Sequence, residues 1–252
     1  VVAVDITSTF PAAAKSRPSV GYMRTLSPEG VLALAPKIIL AIEGSGPQNA
    51  VEVLSRASVP FVLVPEGYDE ASVLRKVLFI AQALGVPEKG ETIARQIAED
   101  FAAVAAARTK IASRRSAVFV LAVGNGTPTV AGEHTSAEGI FKLAGIDNAI
   151  RGMNGYKPAT PEATLAAAPQ AVITMVERGH GLGPDVMFAL PAFSGTPAAR
   201  DKRLVPVPSY YLSFGPRTAH AAQMLAASIY PELALPKLPP RPWTEAEPAA
   251  SR

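Results

Sequence analysis

The two halves of the chain carry nearly the same stretch of sequence, GYMRTLSPEGVLALAPKIILAIEG at residues 21–44 and GYKPATPEATLAAAPQAVITMVERG at residues 155–179. In each copy a hydroxyl residue precedes Pro-Glu, an order that caps the start of a helix and places a carboxylate in its first turn. A proline then ends the short helix. The continuous apolar run that follows is typical of a strand buried on both faces of a parallel sheet. The sequence therefore predicts one helix–strand module in each half.

The remaining segments continue the alternation of strands and helices. Further strands are predicted at residues 1–5, 61–65, 117–123 and 203–207. Apolar helices are predicted at residues 49–57, 70–84, 135–144 and 218–229. Because strands alternate with helices along the chain, the pattern predicts an α/β fold.

A long segment without proline separates the two copies. Residues 88–115, EKGETIARQIAEDFAAVAAARTKIASRR, repeat apolar side chains at three- and four-residue spacing, from Ile93 through Phe101 to Val104. This spacing predicts one amphipathic helix of roughly 20 residues, about 30 Å long. The chain then divides into an N-terminal lobe at residues 1–87, a linking helix at 88–115, a C-terminal lobe at 116–230 and a Pro/Ala-rich tail at 231–252.

The composition excludes several classes of function. With 48% hydrophobic and 18% charged residues, the chain is expected to bury a core. A net charge of +3 without a long Lys/Arg run does not favour nucleic-acid binding. The absence of cysteine excludes thiol catalysis, cysteine-ligated zinc and iron–sulfur clusters, and it is compatible with an oxidising compartment such as the periplasm.

Several motifs together resemble a known family. The paired Pro-Glu-x-x-Leu modules, the long linking helix, GYMRTLSPEG at residues 21–30, GYKP at 155–158 and FGPR at 214–217 are similar to substrate-binding proteins of bacterial ABC importers for haem, siderophores and corrinoids, and within that group to the haem-binding subfamily. The resemblance implies two α/β lobes with central, mostly parallel sheets, joined by one long α-helix, and a ligand in the interlobe cleft. Family members usually begin with an additional strand and helix, so the resemblance also implies that this opening unit is missing here.

The resemblance also implies a function. It implies a periplasmic, monomeric, non-enzymatic protein that captures ferric haem and delivers it to an inner-membrane ABC permease with its ATPase. Siderophore or corrinoid binding within the same family remains an alternative, and so does a tetrapyrrole metal chelatase. The Tyr-x-Arg element of the first copy has no evident task in a chelatase.

Tyr22 and Arg24 are the residues on which the haem hypothesis depends. Ferric haem accepts a phenolate as an axial ligand, and a nearby guanidinium favours the anionic form of a phenol. Residues two apart in an extended loop share a face, so we expect Arg24 to reach the Tyr22 hydroxyl. The resemblance assigns the same roles, Tyr22 as the axial ligand and Arg24 as its hydrogen-bonding partner. A surface turn with an incidental tyrosine is the alternative.

The resemblance places further haem contacts in the C-terminal half. Arg217, a position where haem-binding relatives keep arginine, is expected to stabilise the phenolate or pair with a propionate; solvation at a helix start is the alternative. Tyr156, the counterpart of Tyr22, is followed by Pro158 rather than arginine, so it is expected to line the cleft or contact a second stacked haem. Tyr210 and Tyr211 either stack on the porphyrin or pack in the lobe.

Glutamates after the repeated strands suggest a second interface. Importers of this group commonly dock through one acidic residue on each lobe, and Glu43 and Glu177 end the two strands. Glu52 competes with Glu43, because family docking carboxylates often lie on the following helix. Ordinary solvated charges at the strand ends are the alternative.

The three histidines lead to weaker hypotheses. His134 and Glu138 would share a helix face, a spacing found in metal sites, and His134 is also a candidate contact for the haem edge. His180 lies among glycines and is a candidate ligand of a second haem. His220 is expected on an ordinary helix surface.

Overall fold

The computed structural model describes residues 1–176 and 182–244. The helices are α1 (Pro28–Leu32), α2 (Gln48–Ser55), α3 (Glu70–Ala83), α4 (Pro87–Arg108), α5 (Ser136–Ala144), α6 (Pro161–Ala167), α7 (Pro184–Ala189), α8 (Pro197–Arg200) and α9 (Thr218–Ile229). The strands are β1 (Ile39–Ile42), β2 (Phe61–Val64), β3 (Ser116–Gly124), β4 (Thr127–Ala131), β5 (Asp147–Asn148), β6 (Tyr156–Pro158), β7 (Ala171–Val176) and β8 (Leu204–Pro208). Short 3₁₀ helices lie at Ala12–Ser16, Ser209–Leu212 and Pro231–Leu233. The α/β class and the four predicted helices outside the repeated modules are confirmed.

The chain forms two compact units. The first comprises Val1–Glu66, Lys76–Glu91 and Pro240–Arg252, and the second comprises Gly67–Arg75 and Thr92–Pro239. The helices α3 and α4 each contain residues of both units. The chain thus crosses from one unit to the other four times, after Glu66, Arg75, Glu91 and Pro239.

Both repeated modules form the predicted helix followed by a strand. The Ser27 hydroxyl accepts a hydrogen bond from the Gly30 N–H at the start of α1, and the Thr160 hydroxyl accepts one from the Ala163 N–H at the start of α6, both at 3.2 Å. An alanine in the left-handed backbone conformation follows each helix, Ala35 with φ 46° and Ala168 with φ 45°. The two copies therefore share their capping hydrogen bond and a left-handed backbone conformation that residues other than glycine rarely adopt.

The first unit contains a small parallel sheet. In the part of the chain that the structure describes, β1 and β2 pair only with each other, with Ile39 opposite Phe61 and Ile42 opposite Val64. Leu40 is 38% exposed, so the prediction that this strand is buried on both faces is wrong. The reason is that a two-stranded sheet covers less of each strand than a larger one does.

The prediction of a strand at residues 1–5 is also wrong. Val4 makes an isolated bridge to Ser19, and the chain turns immediately afterwards. The Asp5 carboxylate accepts hydrogen bonds from the Thr7 hydroxyl and the Ser8 hydroxyl, both at 2.5 Å. These local bonds give the backbone an alternative to a strand ladder.

The second unit is built on a mixed sheet. Among the described residues its main path runs β6-β4-β3-β7-β8, and the short β5 also pairs with β3. Strands β3, β7 and β8 are parallel, whereas β4 is antiparallel to β3 and to β6. The first four residues of β7 are buried, as predicted for a central parallel strand.

Helix α9 is anchored at its C-terminal end to this sheet. Its Ile229 carbonyl accepts hydrogen bonds from Arg115, just before β3, and from Arg203, just before β8. Tyr230 donates to the Gly145 carbonyl over 2.8 Å and accepts from the Arg115 N–H over 2.8 Å. Two cations thus face the negative end of the helix dipole.

The predicted long helix is observed as α4, which has 22 residues and ends at Arg108. Its buried apolar positions are Ala94, Ile97, Phe101, Val104 and Ala107. None of the helices in the described ranges combines the length and the apolarity that a membrane span needs.

The left-handed alanine after α6 gives a test of the repeated module. We expect Ala168→Gly to stabilise the protein by about 1 kcal/mol, because glycine adopts positive φ without the steric cost that alanine carries. The matched control is Ala166→Gly, at an exposed position inside α6, which should cost about 1 kcal/mol. Urea unfolding measures both values, and equal losses of stability in the two variants would contradict the strain at Ala168.

Candidate functional site

Tyr22 lies in a tight turn of the first unit. The Thr25 N–H donates to the Tyr22 carbonyl over 2.9 Å, and Gly21 enters the turn with φ 82°. The Tyr22 side chain is 37% exposed. The expectation of an extended loop is therefore wrong, because the backbone between Tyr22 and Thr25 closes a hydrogen-bonded turn; Arg24 is exposed within it.

The neighbouring loop holds this turn in place. Gly46 donates its N–H to the Met23 carbonyl over 3.0 Å, and its carbonyl accepts from the Leu26 N–H over 2.9 Å. This pairing ties residues on both sides of Arg24 to the segment that follows β1. Tyr22 is thus an exposed phenol on a braced backbone, which is suitable for presenting a fixed ligand atom.

Arg217 and two tyrosines form a cluster in the second unit. The Arg217 guanidinium carbon lies 4.2 Å from the centre of the Tyr210 ring, a cation–π contact. The Tyr210 and Tyr211 rings are 5.1 Å apart at an interplanar angle of 57°. Arg217 and Tyr210 are half-buried, whereas Tyr211 is only 4% exposed, so Tyr211 packs in the unit and Tyr210 lies closer to solvent.

The loop that carries this cluster is secured by Thr218. Its hydroxyl accepts from the Gly215 N–H over 2.9 Å and donates to the Ser213 carbonyl over 3.4 Å. Arg217 immediately precedes α9, and its carbonyl accepts from the Ala221 N–H over 2.9 Å. The backbone at Arg217 is therefore fixed on both sides.

Burial dominates the ionisation of the two tyrosines. It raises the pKa of Tyr210, although the Arg217 charge and a hydrogen bond from Tyr211 oppose the rise. Burial also raises the pKa of Tyr211, and its position as the donor to Tyr210 raises it further. Both phenols are therefore neutral near pH 7 and act as aromatic surfaces and hydrogen-bonding groups.

Tyr156 lies at the start of β6 and reaches the start of α5. Its hydroxyl is 3.0 Å from the hydroxyl of Ser136, the first residue of the helix. The side chain is half-buried. Tyr156 has Pro158 two residues later, where Tyr22 has Arg24, and the partner of its phenol is the neutral Ser136 hydroxyl.

His134 precedes α5 and does not lie on its face. It is exposed with φ 58°, and the helix is capped by Thr135, whose hydroxyl accepts from the Glu138 N–H over 3.1 Å. The Glu138 carboxylate accepts from the His134 N–H over 2.8 Å and pairs with Lys142 at 2.9 Å. The expected helix-face pairing of His134 and Glu138 is therefore wrong, since the carboxylate serves the helix start.

The charge on Glu138 agrees with this role. Burial acts to raise its pKa, but the hydrogen bonds from Lys142 and from the His134 N–H outweigh burial and hold the pKa below its ordinary value. Residues 1–176 and 182–244 contain no group of three or more His, Cys, Asp or Glu placed to hold a metal ion.

The candidate docking carboxylates of the first unit are both exposed. Glu43 follows β1, and its carboxylate accepts from the Glu66 N–H over 2.9 Å. Glu52 lies on α2, where its carboxylate accepts from the Gln48 amide over 3.4 Å. Glu177 and His180 lie outside the described residues.

His220 is not an ordinary surface residue. Its side chain is only 15% exposed, and Nε2 lies 3.0 Å from the Pro239 carbonyl. Its Nδ1 lies 3.8 Å from a carboxylate oxygen of Asp100, which is buried in α4. The prediction was wrong because the C-terminal segment folds back over α9, a long-range contact that local spacing does not reveal.

Sequence reasoning also missed Tyr68. It lies between β2 and α3, and its ring meets the Phe214 ring edge-on, with centroids 5.3 Å apart. Phe214 is the first residue of the FGPR motif, three residues before Arg217. The signal in the sequence was weak, because nearly 150 residues separate two side chains that lie together.

The Tyr210–Arg217 contact gives a test of the cluster. We expect Arg217→Ala to raise the pKa of Tyr210 further, because the substitution removes a positive charge that favours the phenolate. Lys237→Ala, in the tail of the same unit, is the matched loss of charge. Tyrosine absorbance at 295 nm during an alkaline titration measures the change, and identical titration curves for the two variants would contradict it.

Comparisons with known proteins give the chain its family. The sequence model described as "Periplasmic binding protein" matches residues 1–211. The solved structure of the periplasmic heme-binding protein BhuT in complex with two hemes is 36% identical, with 93% of this chain and 90% of that chain covered and a TM-score of 0.85. The periplasmic heme-binding protein RhuT from Roseiflexus sp. RS-1, in apo form, is 32% identical over 92% of this chain and 90% of that chain, with a TM-score of 0.86.

A third solved structure agrees with these two. A periplasmic heme-binding protein from Pseudomonas aeruginosa is 30% identical over 94% of this chain and 87% of that chain, with a TM-score of 0.80. No curated protein sequence matches the chain significantly. The shared fold, the extent of the family match and these identities lead to one conclusion: the chain belongs to the periplasmic binding protein family.

Proposed function

We propose that this protein captures ferric haem in the periplasm and delivers it to an inner-membrane ABC importer. The observation that carries the proposal is its identity of 30–36%, over at least 92% of the chain, to three solved proteins that are all described as periplasmic heme-binding proteins. The family consists of binding components of transport systems rather than enzymes, so haem is a cargo and is not chemically changed.

Tyr22 is the proposed axial ligand of the iron. An exposed phenol on a braced turn supplies the oxygen donor that ferric haem accepts. Arg24 lies two residues away in the same turn, and its proposed role is to stabilise the phenolate when iron is bound. Because the turn is fixed by backbone bonds on both sides of Arg24, little conformational entropy is lost when the phenol binds iron.

The second unit supplies the proposed contacts to the porphyrin. Arg217 pairs with a propionate, for which a guanidinium is well suited. Tyr210, already in contact with Arg217, offers an aromatic surface to the macrocycle. Tyr211 is buried beneath Tyr210, so we propose that it supports the ring of Tyr210 rather than contacting haem.

Tyr156 and His134 are proposed contacts of the bound haem or of a second haem. The BhuT structure contains two hemes. In this chain the Tyr156 hydroxyl contacts Ser136, the first residue of α5, and His134 lies two residues before that helix. Tyr156 is bonded to Ser136 and lacks an arginine two residues later, so it is a weaker ligand than Tyr22. Titration to saturation gives the number of haems bound.

Delivery requires contacts with the permease, for which Glu43 and Glu52 are the proposed residues of the first unit. Both carboxylates are exposed and can meet arginines of a membrane partner. Glu43 is the more firmly held of the two, because the Glu66 N–H donates to its carboxylate over 2.9 Å, whereas the Gln48 contact to Glu52 is longer at 3.4 Å. Glu177 remains the proposed counterpart in the second unit.

The proposal is tested by absorption spectra recorded after adding ferric haem, a ferric siderophore or cobalamin in separate titrations. We expect a saturating Soret shift with haem at micromolar protein, and no saturable change with the other two ligands. Saturable binding of the siderophore or cobalamin, without binding of haem, would show that the protein serves another ligand of the family.

The iron ligand is tested by Tyr22→Phe. Removal of the phenol oxygen should abolish the tyrosinate charge-transfer band and raise the Kd for haem about tenfold or more, the equivalent of at least about 1.4 kcal/mol. Tyr156→Phe is the matched control, and it should retain the band. An unchanged spectrum for Tyr22→Phe would exclude Tyr22 as the ligand.

The role of Arg24 is tested by pH. Because its positive charge favours the phenolate, Arg24→Ala should raise the midpoint pH at which the charge-transfer band develops by about one unit. Arg17→Ala removes another exposed arginine of the first unit outside the turn and should leave the midpoint unchanged. Equal midpoints for the Arg24 variant and the wild type would separate Arg24 from the ligand.

A further inference from the structure

Tyr68 reaches the second unit from a distant part of the chain. It lies in Gly67–Arg75, which belongs to the second unit although the segments before and after it belong to the first. It follows β2 and precedes α3. Neither repeated stretch includes Tyr68, because the first of them ends at residue 44.

The backbone on both sides of Tyr68 is tightly held. Asp69 caps α3, and its carboxylate accepts from the Ser72 N–H over 2.7 Å. Hydrogen bonds from Ser72 lower the pKa of Asp69, so the carboxylate is charged when it caps the helix. A Cβ at Gly67 would lie 2.2 Å from the Ser72 hydroxyl oxygen and 2.6 Å from the Ser72 Cβ, so the glycine lets the backbone pass close to Ser72. The backbone position of Tyr68 is therefore fixed by the residues on either side of it.

The position of Tyr68 is also built into α5. A Cβ at Gly139 would lie 2.5 Å from the Tyr68 carbonyl oxygen, 2.6 Å from its Cβ and 2.9 Å from the Phe214 ring. Gly139 therefore permits the close approach of both aromatic residues to the helix. Ser136, the partner of Tyr156, precedes Gly139 by three residues, so Tyr156 and Tyr68 meet the same face of α5 one turn apart.

The Tyr68 side chain remains substantially exposed in this setting. Its exposed fraction is 39%, whereas that of Phe214, against which it packs, is 4%. Phe214 begins the loop that ends at Arg217, and the Arg217 guanidinium lies over the Tyr210 ring. An exposed aromatic ring thus lies against α5 and against the first residue of the FGPR motif, and both elements carry or adjoin residues proposed to contact the porphyrin.

We propose that Tyr68 is a further contact of the bound ligand, whose ring packs against the flat face or edge of the porphyrin. The inference rests on the proposed haem function and adds to it a residue from outside both repeated modules. The contact is made by the ring and not by the hydroxyl, because the ring packs edge-on against Phe214, and Gly139 leaves room for the Tyr68 carbonyl oxygen and Cβ that position this ring. Tyr68 supplies packing area and leaves the iron ligand unchanged.

Haem titrations of four proteins test this contact. Tyr68→Ala should raise the Kd about threefold to tenfold, the range of an aromatic packing contact. Tyr68→Phe keeps the ring and should stay within about twofold of the wild type. Met224→Ala, which truncates a side chain 54% exposed on α9, is the matched control and should bind like the wild type. The charge-transfer band should be retained in all four proteins.

The outcomes separate the two proposals. If the wild type shows no saturable haem binding, the proposed function fails. If the wild type binds haem and Tyr68→Ala binds with the same Kd, the function stands and the Tyr68 contact is overturned. A large loss of affinity in Tyr68→Phe as well would also overturn it, because the hydroxyl would then be the group that matters.

A second measurement applies if Tyr68→Ala does not fold. Nitration of the wild type by tetranitromethane, with and without haem, reports the exposure of each tyrosine. Cleavage after Arg56 and Arg75 releases residues 57–75, in which Tyr68 is the single tyrosine. We expect haem to reduce nitration of this peptide at least about twofold. Equal nitration with and without haem would overturn the contact.

Discussion

The second unit depends on the capped start of α5. The Thr135 hydroxyl accepts from the third N–H of the helix and donates to the Gly132 carbonyl over 2.9 Å, so the first turn is fixed from both sides. Ser136 of this turn binds the Tyr156 hydroxyl, and Gly139 one turn later receives Tyr68. Two segments far apart in the chain, at Tyr68 and Tyr156, are thereby held around one short helix. If this turn frayed, the aromatic side chains proposed to bind the ligand would lose their common support.

Much of this fold follows from local rules. The order of hydroxyl, proline and glutamate predicts both capped helices, because the cap needs only residues within one turn, and the Ser27 and Thr160 bonds confirm it. The long helix follows from the spacing of its apolar residues, although it ends at Arg108, before the predicted limit. The motifs of the first copy and FGPR suffice to suggest the family, since their resemblance does not depend on tertiary contacts.

The rest could not be read from the sequence for three physical reasons. The burial of β1 depends on how many strands lie beside it, which the residues of one strand do not reveal. The turn at Tyr22 is held by hydrogen bonds of Met23 and Leu26 with Gly46, a residue of another loop. His220 and Tyr68 acquire their surroundings through tertiary contacts, the first through the folded-back segment at Pro239 and the second through Gly139. In each case a long-range contact overrides the local pattern.

The proposed binding of the cargo's iron by the phenol oxygen of Tyr22 is a geometric relation. A crystal structure of the haem-loaded protein, with anomalous data collected at the iron absorption edge, tests this claim directly. We expect an iron peak within bonding distance of the Tyr22 hydroxyl oxygen, with Arg24 beside that oxygen. An iron peak bonded to another side chain, with Tyr22 facing solvent, would contradict it.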